Sequence, residues 1–107
     1  MDLKQLTAKA KEVKELYSKH NEKSGEKTWS NAEYTQGLVG DVGDLVKLIM
    51  AKNNFRHYDN LDEKIAHELS DCLWSILVIA DDLNVDLEPE FINAMNELKD
   101  RITNNKS

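Results

Sequence analysis

Carboxylates three residues apart recur along this chain, at Glu12/Glu15, Asp41/Asp44, Asp59/Asp62, Glu68/Asp71 and Glu97/Asp100. Residues at i and i+3 project from neighbouring points of a helix surface, so each pair can grip one ion. With 20 acidic against 14 basic side chains, the spacing alone describes a solvated face. Two pairs differ in their neighbours. At helical spacing Asp41, inside GLVGDVGDLVKLI, shares its stripe with Leu38, Leu45 and Leu48. Glu68, inside IAHELSDCLWSILVI, falls on one side with Ile65, Cys72 and Ile79. An ionised carboxylate taken out of water costs several kcal/mol unless it is paired or coordinated. Basic partners are few: Lys47 and Lys64 lie one turn from a motif, and no arginine is local. Bringing both pairs together would gather about four negative charges at one locus, for which hard divalent cations, Mg²⁺ or Mn²⁺, are the natural neutralisers. A second reading stays open, in which the acids lie at stripe edges and face water.

The elements that must position these pairs are helices. One proline and four glycines in 107 residues leave few breakers, and Leu, Ala, Glu and Lys are good helix formers. Leu3, Leu6, Ala10, Val13, Leu16 and Tyr17 form one apolar stripe, predicting a first helix that ends near His20. The polar stretch from Asn21 to Thr28, with Gly25, reads as a loop. Ser30-Asn31-Ala32-Glu33 matches a capping box, predicting a second helix from about Asn31 to Ala51 with Leu38, Val42, Leu45, Val46, Leu48 and Ile49 inward. Asn60 is placed to cap a third helix from about Leu61 to Leu83, with Asp62 and Glu63 in its first turn. Its middle, LWSILVIA, is apolar almost all round and marks the most buried helix; a strand over ILVIA is excluded because helical periodicity continues on both sides. After Asn84-Val85-Asp86, Pro89 suits a first turn, and Phe91, Ile92, Met95, Leu98 and Ile102 line a fourth helix before a fraying polar tail. The expectation is a single all-α domain over residues 1–107, a four-helix bundle whose uncovered apolar surface is completed by homo-oligomerisation into a homodimer or homotetramer.

Composition excludes several function classes. The net charge is −6 and the pI near 5.0, whereas a general nucleic-acid binder needs a basic surface. The longest apolar run, Ile76 to Ala80, is far short of the roughly 20 residues of a membrane span. The opening MDLKQLTAKAKEVK holds no apolar core of a signal peptide, and the single Cys72 can form no internal disulfide. A cytoplasmic protein with neither nucleic acid nor membrane as partner is expected.

Gly37, Gly40 and Gly43 fall at three-residue intervals in the second helix. Each costs about 1 kcal/mol relative to Ala in a helix interior, which suggests close approach of a neighbouring helix or a ligand beside the acids. Neither G-x-G-x-x-G nor G-x4-G-K-[ST] is present, so a phosphate-cradling loop is disfavoured.

LVGDVGDLVKL followed by HELSDCLW resembles the E-x-x-E … E-x-x-D signature of the MazG-like nucleoside triphosphate pyrophosphohydrolases, members of the all-α NTP pyrophosphatase superfamily. The resemblance extends from about Trp29 to Arg101, through LNVDLEPEF. It implies that Asp41, Asp44, Glu68 and Asp71 bind Mg²⁺ (or Mn²⁺) and catalyse NTP + H2O → NMP + pyrophosphate, with a nucleoside triphosphate as substrate and nucleotide-pool cleaning as the role. By the same resemblance Trp29 stacks on the nucleobase and Arg101 is a basic substrate contact. Two departures stand out. The first pair is Asp-x-x-Asp where the family usually has Glu-x-x-Glu, each side chain one methylene shorter. The last helix holds Ala94 and Leu98 where the family commonly has a phosphate-contacting Lys and Asn, leaving Asn93, Asn96 and Lys99 on adjacent faces as substitutes. The alternative function is therefore a catalytically weakened or inactive helical binding module.

Other residues carry two readings each. Trp29 can staple the second helix's entry onto the core instead of holding a base. Trp74 reads as core, as does Cys72, a small hydrophobe. Phe55-Arg56-His57-Tyr58 can form a lid or pack on apolar surface. His67 adjoins Glu68, but adjacent helix positions point about 100° apart, which argues against a shared ligand role.

Overall fold

The structure, a computed structural model, describes residues 1–54 and 58–104. They form four helices: α1 (Leu3–Ser24), α2 (Asn31–Asn53), α3 (Leu61–Asp82) and α4 (Leu87–Thr103), with no strand among the described residues. ILVIA is helical, as expected. Phe55 to His57, part of the segment considered as a lid, and Asn105 to Ser107 of the tail lie outside the described residues.

Helix ends follow local chemistry. At α2 the Ser30 backbone N–H donates to Glu33 Oε1 at 3.0 Å and the Ser30 hydroxyl to Oε2 at 3.0 Å. Glu33 thus reaches back as the sequence motif predicts. These Ser30 hydrogen bonds, helped by Lys27, hold the Glu33 carboxyl below the usual range. α1 runs past His20 to Ser24, contrary to the expected loop. Its last turn is polar but contains no breaker, and it stops at Gly25, whose φ of 73° is the left-handed C-cap conformation that glycine adopts freely. Its start carries a second capping box, Asp2 with Gln5. Asn60 precedes α3 but does not cap it with its side chain; its backbone is left-handed (φ 56°), a conformation asparagine tolerates, and its carbonyl accepts from Lys64 N–H at 3.0 Å.

α2 and α3 form an antiparallel hairpin, tied at one end by Asn31 Nδ2 donating to Asp82 Oδ2 (2.9 Å) and at the other by Lys52 Nζ against Asp62 Oδ1 (2.7 Å). The most extensive contact in the molecule is between these two helices. α1 packs on α3, held by Trp74 Nε1 donating to the Ala10 carbonyl at 3.1 Å and by Lys11 and Lys14 beside Asp81 and Asp82. The core is small: Ala10, Tyr34, Leu77 and the fully buried Val78, flanked by Leu3, Trp74, Ile79 and Leu87. Tyr34 meets Trp74 edge-on at 5.5 Å and Trp29 at 5.3 Å, so Trp74 is core as expected. α3 is the helix with the most buried residues, also as expected.

Other expected core faces are open. Leu16 and Tyr17 of α1, Val42, Val46 and Ile49 of α2, and Phe91, Ile92, Met95, Leu98 and Ile102 of α4 are exposed. α1 instead turns Leu3 and Ala10 inward, and α4 has no buried residue. The radius of gyration, 17.3 Å, exceeds the roughly 13 Å of a compact chain this long. The reason is simple: four amphipathic stripes need four facing partners, and α4 touches chiefly α1.

Since Val78 is fully buried, Val78→Ala is expected to lower the unfolding free energy by about 2 kcal/mol, measured by urea denaturation. As pH falls through the lowered Glu33 value, the capping contribution is lost; Glu33→Gln should reduce that acid sensitivity in the same experiment.

Candidate metal centre

Asp41 and Asp44 stand one turn apart on α2, and Glu68 faces them from α3. One carboxylate oxygen from each lies within 4.8 Å of the other two. The hairpin's register makes this convergence. Asp41 belongs to the inward stripe with Leu38, Leu45 and Leu48, all half-buried, and Glu68 to that of Leu61, Ile65 and Cys72. The expectation that the acids interrupt apolar faces therefore holds for Asp41 and Glu68, while Asp44 is exposed.

The cluster is electrostatically unfavourable as it stands. Burial, then the charges of Asp71 and Asp44, pushes the Asp41 carboxyl above its ordinary range. Burial, then Asp41, Asp44 and Asp71, does the same to Glu68. Glu68 Oε2 is shielded from solvent and has no hydrogen-bond partner among the described residues, a condition that normally costs free energy. Cys72, buried beneath, has its thiol raised by burial and then by Asp41, Glu68 and Asp71. Hard oxygen donors, a negative field and an orphaned carboxylate oxygen fit a Mg²⁺- or Mn²⁺-sized cation.

Asp71, expected to be the fourth ligand, is not among the three whose oxygens lie within 4.8 Å of one another, yet its charge is the strongest acting on Asp41. Its Oδ2 is 3.2 Å from His67 Nε2, an i,i+4 contact along α3. Sequence spacing showed His67 beside Glu68 but missed its reach to Asp71. Trp29 lies over α2: a Cβ at Gly37 would sit 3.3 Å from Trp29 Cζ3. The indole is half exposed and packs on Tyr34, an arrangement that staples the helix entry. Close approach therefore accounts for Gly37, by a side chain and not a helix; Gly40 and Gly43 face open space. Arg101 is exposed on α4 and does not line the cavity that borders the acids. That cavity, walled by Asp44, Lys47, Tyr58, Lys64 and Glu68, is the feature that helical spacing alone did not reveal.

No protein-family model matches the chain, and no curated protein or solved structure is significantly similar to it.

A carboxyl with a raised folded-state pKa binds its proton more tightly folded than unfolded, so its ionised form subtracts from stability at neutral pH. The penalty fades as pH falls through the raised values towards the ordinary carboxylate range. Asp41→Asn and Glu68→Gln should therefore each raise the melting temperature of the metal-free chain at pH 7 and lose that advantage near pH 4. Mg²⁺ at one hundred times its Kd should stabilise the unsubstituted chain by about 2.7 kcal/mol and neither variant to the same degree.

Proposed function

We propose that this chain is a Mg²⁺-dependent nucleoside triphosphate pyrophosphohydrolase of the MazG-like kind, converting a (d)NTP to (d)NMP and pyrophosphate in nucleotide-pool cleaning in the cytoplasm. The observation that carries the reading is the convergence of Asp41, Asp44 and Glu68 from two helices at the edge of a cavity, with Glu68 Oε2 lacking any partner among the described residues. The residues that would hold the ion are Asp41, Asp44 and Glu68, with Asp71 close enough for its charge to raise two of them. A divalent cation bound there supplies Lewis-acid polarisation of the phosphoryl oxygens and offsets the charge of the triphosphate.

The chain's own residues do the rest. A water oxygen attacks the α-phosphorus, its proton passes to a carboxylate of the first pair, and the bond to the β-phosphate oxygen breaks with its electrons leaving on pyrophosphate. The apolar stripes of α2 and α3 around Asp41 and Glu68 thin out competing water, which strengthens every charge interaction in the site.

A homodimer or homotetramer completes the bundle in this reading. Val39, Val42, Val46 and Met50 of α2 and Leu69, Leu73 and Ile76 of α3 form exposed apolar rows on the hairpin. Phe91, Ile92, Met95 and Leu98 form another on α4. Stable interfaces bury about 1,200–2,000 Å² in total, and rows of this kind are what such an interface consumes.

One observation favours a binding module without turnover: α4 presents Ala94 and Leu98 where the resembled family has phosphate contacts, and Arg101 stands outside the cavity. A panel of NTPs and dNTPs with Mg²⁺, assayed separately for pyrophosphate and orthophosphate, separates the readings. The enzyme releases pyrophosphate first, and Glu68→Gln lowers kcat by about 100-fold or more; no release from any substrate leaves the binding module. Light scattering should give the mass of a dimer or tetramer, with Val46→Glu or Leu73→Glu shifting it to the 12.3 kDa monomer.

A further inference from the structure

Beside the carboxylates the α2–α3 hairpin opens into a cavity of about 670 Å³, within the size range of small-molecule sites. Its wall combines three carboxylates, Asp44, Glu63 and Glu68, with His67, with two lysines, Lys47 of α2 and Lys64 of α3, and with Tyr58. Both lysines have an acid at ion-pairing spacing on their own helix, Asp44 three residues before Lys47 and Glu68 four after Lys64. Neither makes an ion pair with a carboxylate among the described residues, whereas Lys11, Lys14, Lys27 and Lys52 all do. Lys64 Nζ rests instead 4.8 Å above the Tyr58 ring, a cation–π contact that restrains the ammonium without neutralising it. In a chain of net charge −6, two lysines without a carboxylate partner among the described residues thus share the wall of one cavity.

The ligand that matches this wall is anionic where the lysines reach and carries a divalent cation where the carboxylates reach. A polyphosphate satisfies both. Direction along α2 adds to the argument. Gly37 under the Trp29 indole, then Asp41, Asp44 and Lys47 follow one another at steps of about one turn, near 5 Å each. A nucleotide laid along this edge has its phosphates beyond Asp44 approaching Lys47 and, across the hairpin, Lys64. We propose that Lys47 and Lys64 form a two-helix clamp on the terminal phosphates of the substrate, the part that leaves as pyrophosphate. The inference rests on the triphosphate reading above. It places the cationic phosphate contacts on the hairpin, in contrast to α4, where Ala94 and Leu98 offer none. The clamp selects for a triphosphate over a monophosphate, because only the former reaches past the acids to both ammonium groups.

Calorimetric titration of the full chain with inorganic triphosphate in Mg²⁺ tests the clamp without any nucleoside contribution. Lys47→Gln and Lys64→Gln should each weaken binding about tenfold. Lys47→Arg and Lys64→Arg should retain most of it, and Lys19→Gln, exposed on α1, should leave it unchanged. The Mg²⁺-induced rise in melting temperature should persist in both glutamine variants, which also shows that they are folded. If that rise persists and triphosphate binds both variants as tightly as the unsubstituted chain, the clamp is wrong and the metal centre stands. Equal affinity for inorganic triphosphate and AMP, or no triphosphate binding at all, overturns the clamp too. A missing Mg²⁺ response in the unsubstituted chain counts against the metal centre itself, and lysine-dependent triphosphate binding in that case still upholds the clamp.

Discussion

Three carboxylate oxygens held within 4.8 Å of one another repel, and among the described residues His67 offsets the charge of Asp41 and Glu68 only in part. His67 makes its ion pair with Asp71, and Lys64 lies over the Tyr58 ring. The hairpin nevertheless fixes the three together. Tyr34, Trp74, Leu77 and Val78 lock α2, α3 and α1 at one end, and the Lys52–Asp62 pair locks the other. Asp41, Asp44 and Glu68 lie between these two anchors. Folding therefore supports an electrostatically unfavourable arrangement, and the proposed cation site rests on it.

The rest of the structure is arranged around that hairpin. α1 adds a polar clasp through the Ala10 carbonyl and two lysines near the far end of α3, while α4 extends an amphipathic surface with no buried residue. A small core and long exposed apolar rows make the isolated chain an open arrangement. The closest helix packing is in the hairpin where the carboxylates converge, and apolar surface is left over on α2, α3 and α4.

Much of this was legible in the sequence, for identifiable reasons. Helix positions followed from periodicity and from Ser30-x-x-Glu33, because capping and amphipathic burial are local effects. The placement of Asp41 and Glu68 on inward stripes followed from the same 3.6-residue period. What periodicity does not encode is which stripe finds a partner. Leu16, Val46 and Phe91 have core-like spacing yet are exposed, since burial depends on a facing element and the described residues place none over them. α1 ends at Ser24 and not near His20 because a polar stretch is a weaker stop signal than the glycine that follows it. The Asn60 cap differed because its left-handed backbone directs the carbonyl, and not the side chain, into the helix. The angle between His67 and Glu68 along the helix hides the partner that an i+4 step gives His67, namely Asp71. The cavity with Lys47 and Lys64 depends on the inter-helix register, which no single helix reveals.

The central claim is that this acidic convergence, and not the general negative charge of the surface, is where a divalent cation binds. Paramagnetic broadening by Mn²⁺ tests it most directly. At substoichiometric Mn²⁺ the amide resonances of residues 40–45 and 67–72 should vanish first, while those around Glu12/Glu15 and Glu97/Asp100 remain sharp. Broadening spread evenly over all the acidic pairs would contradict the account.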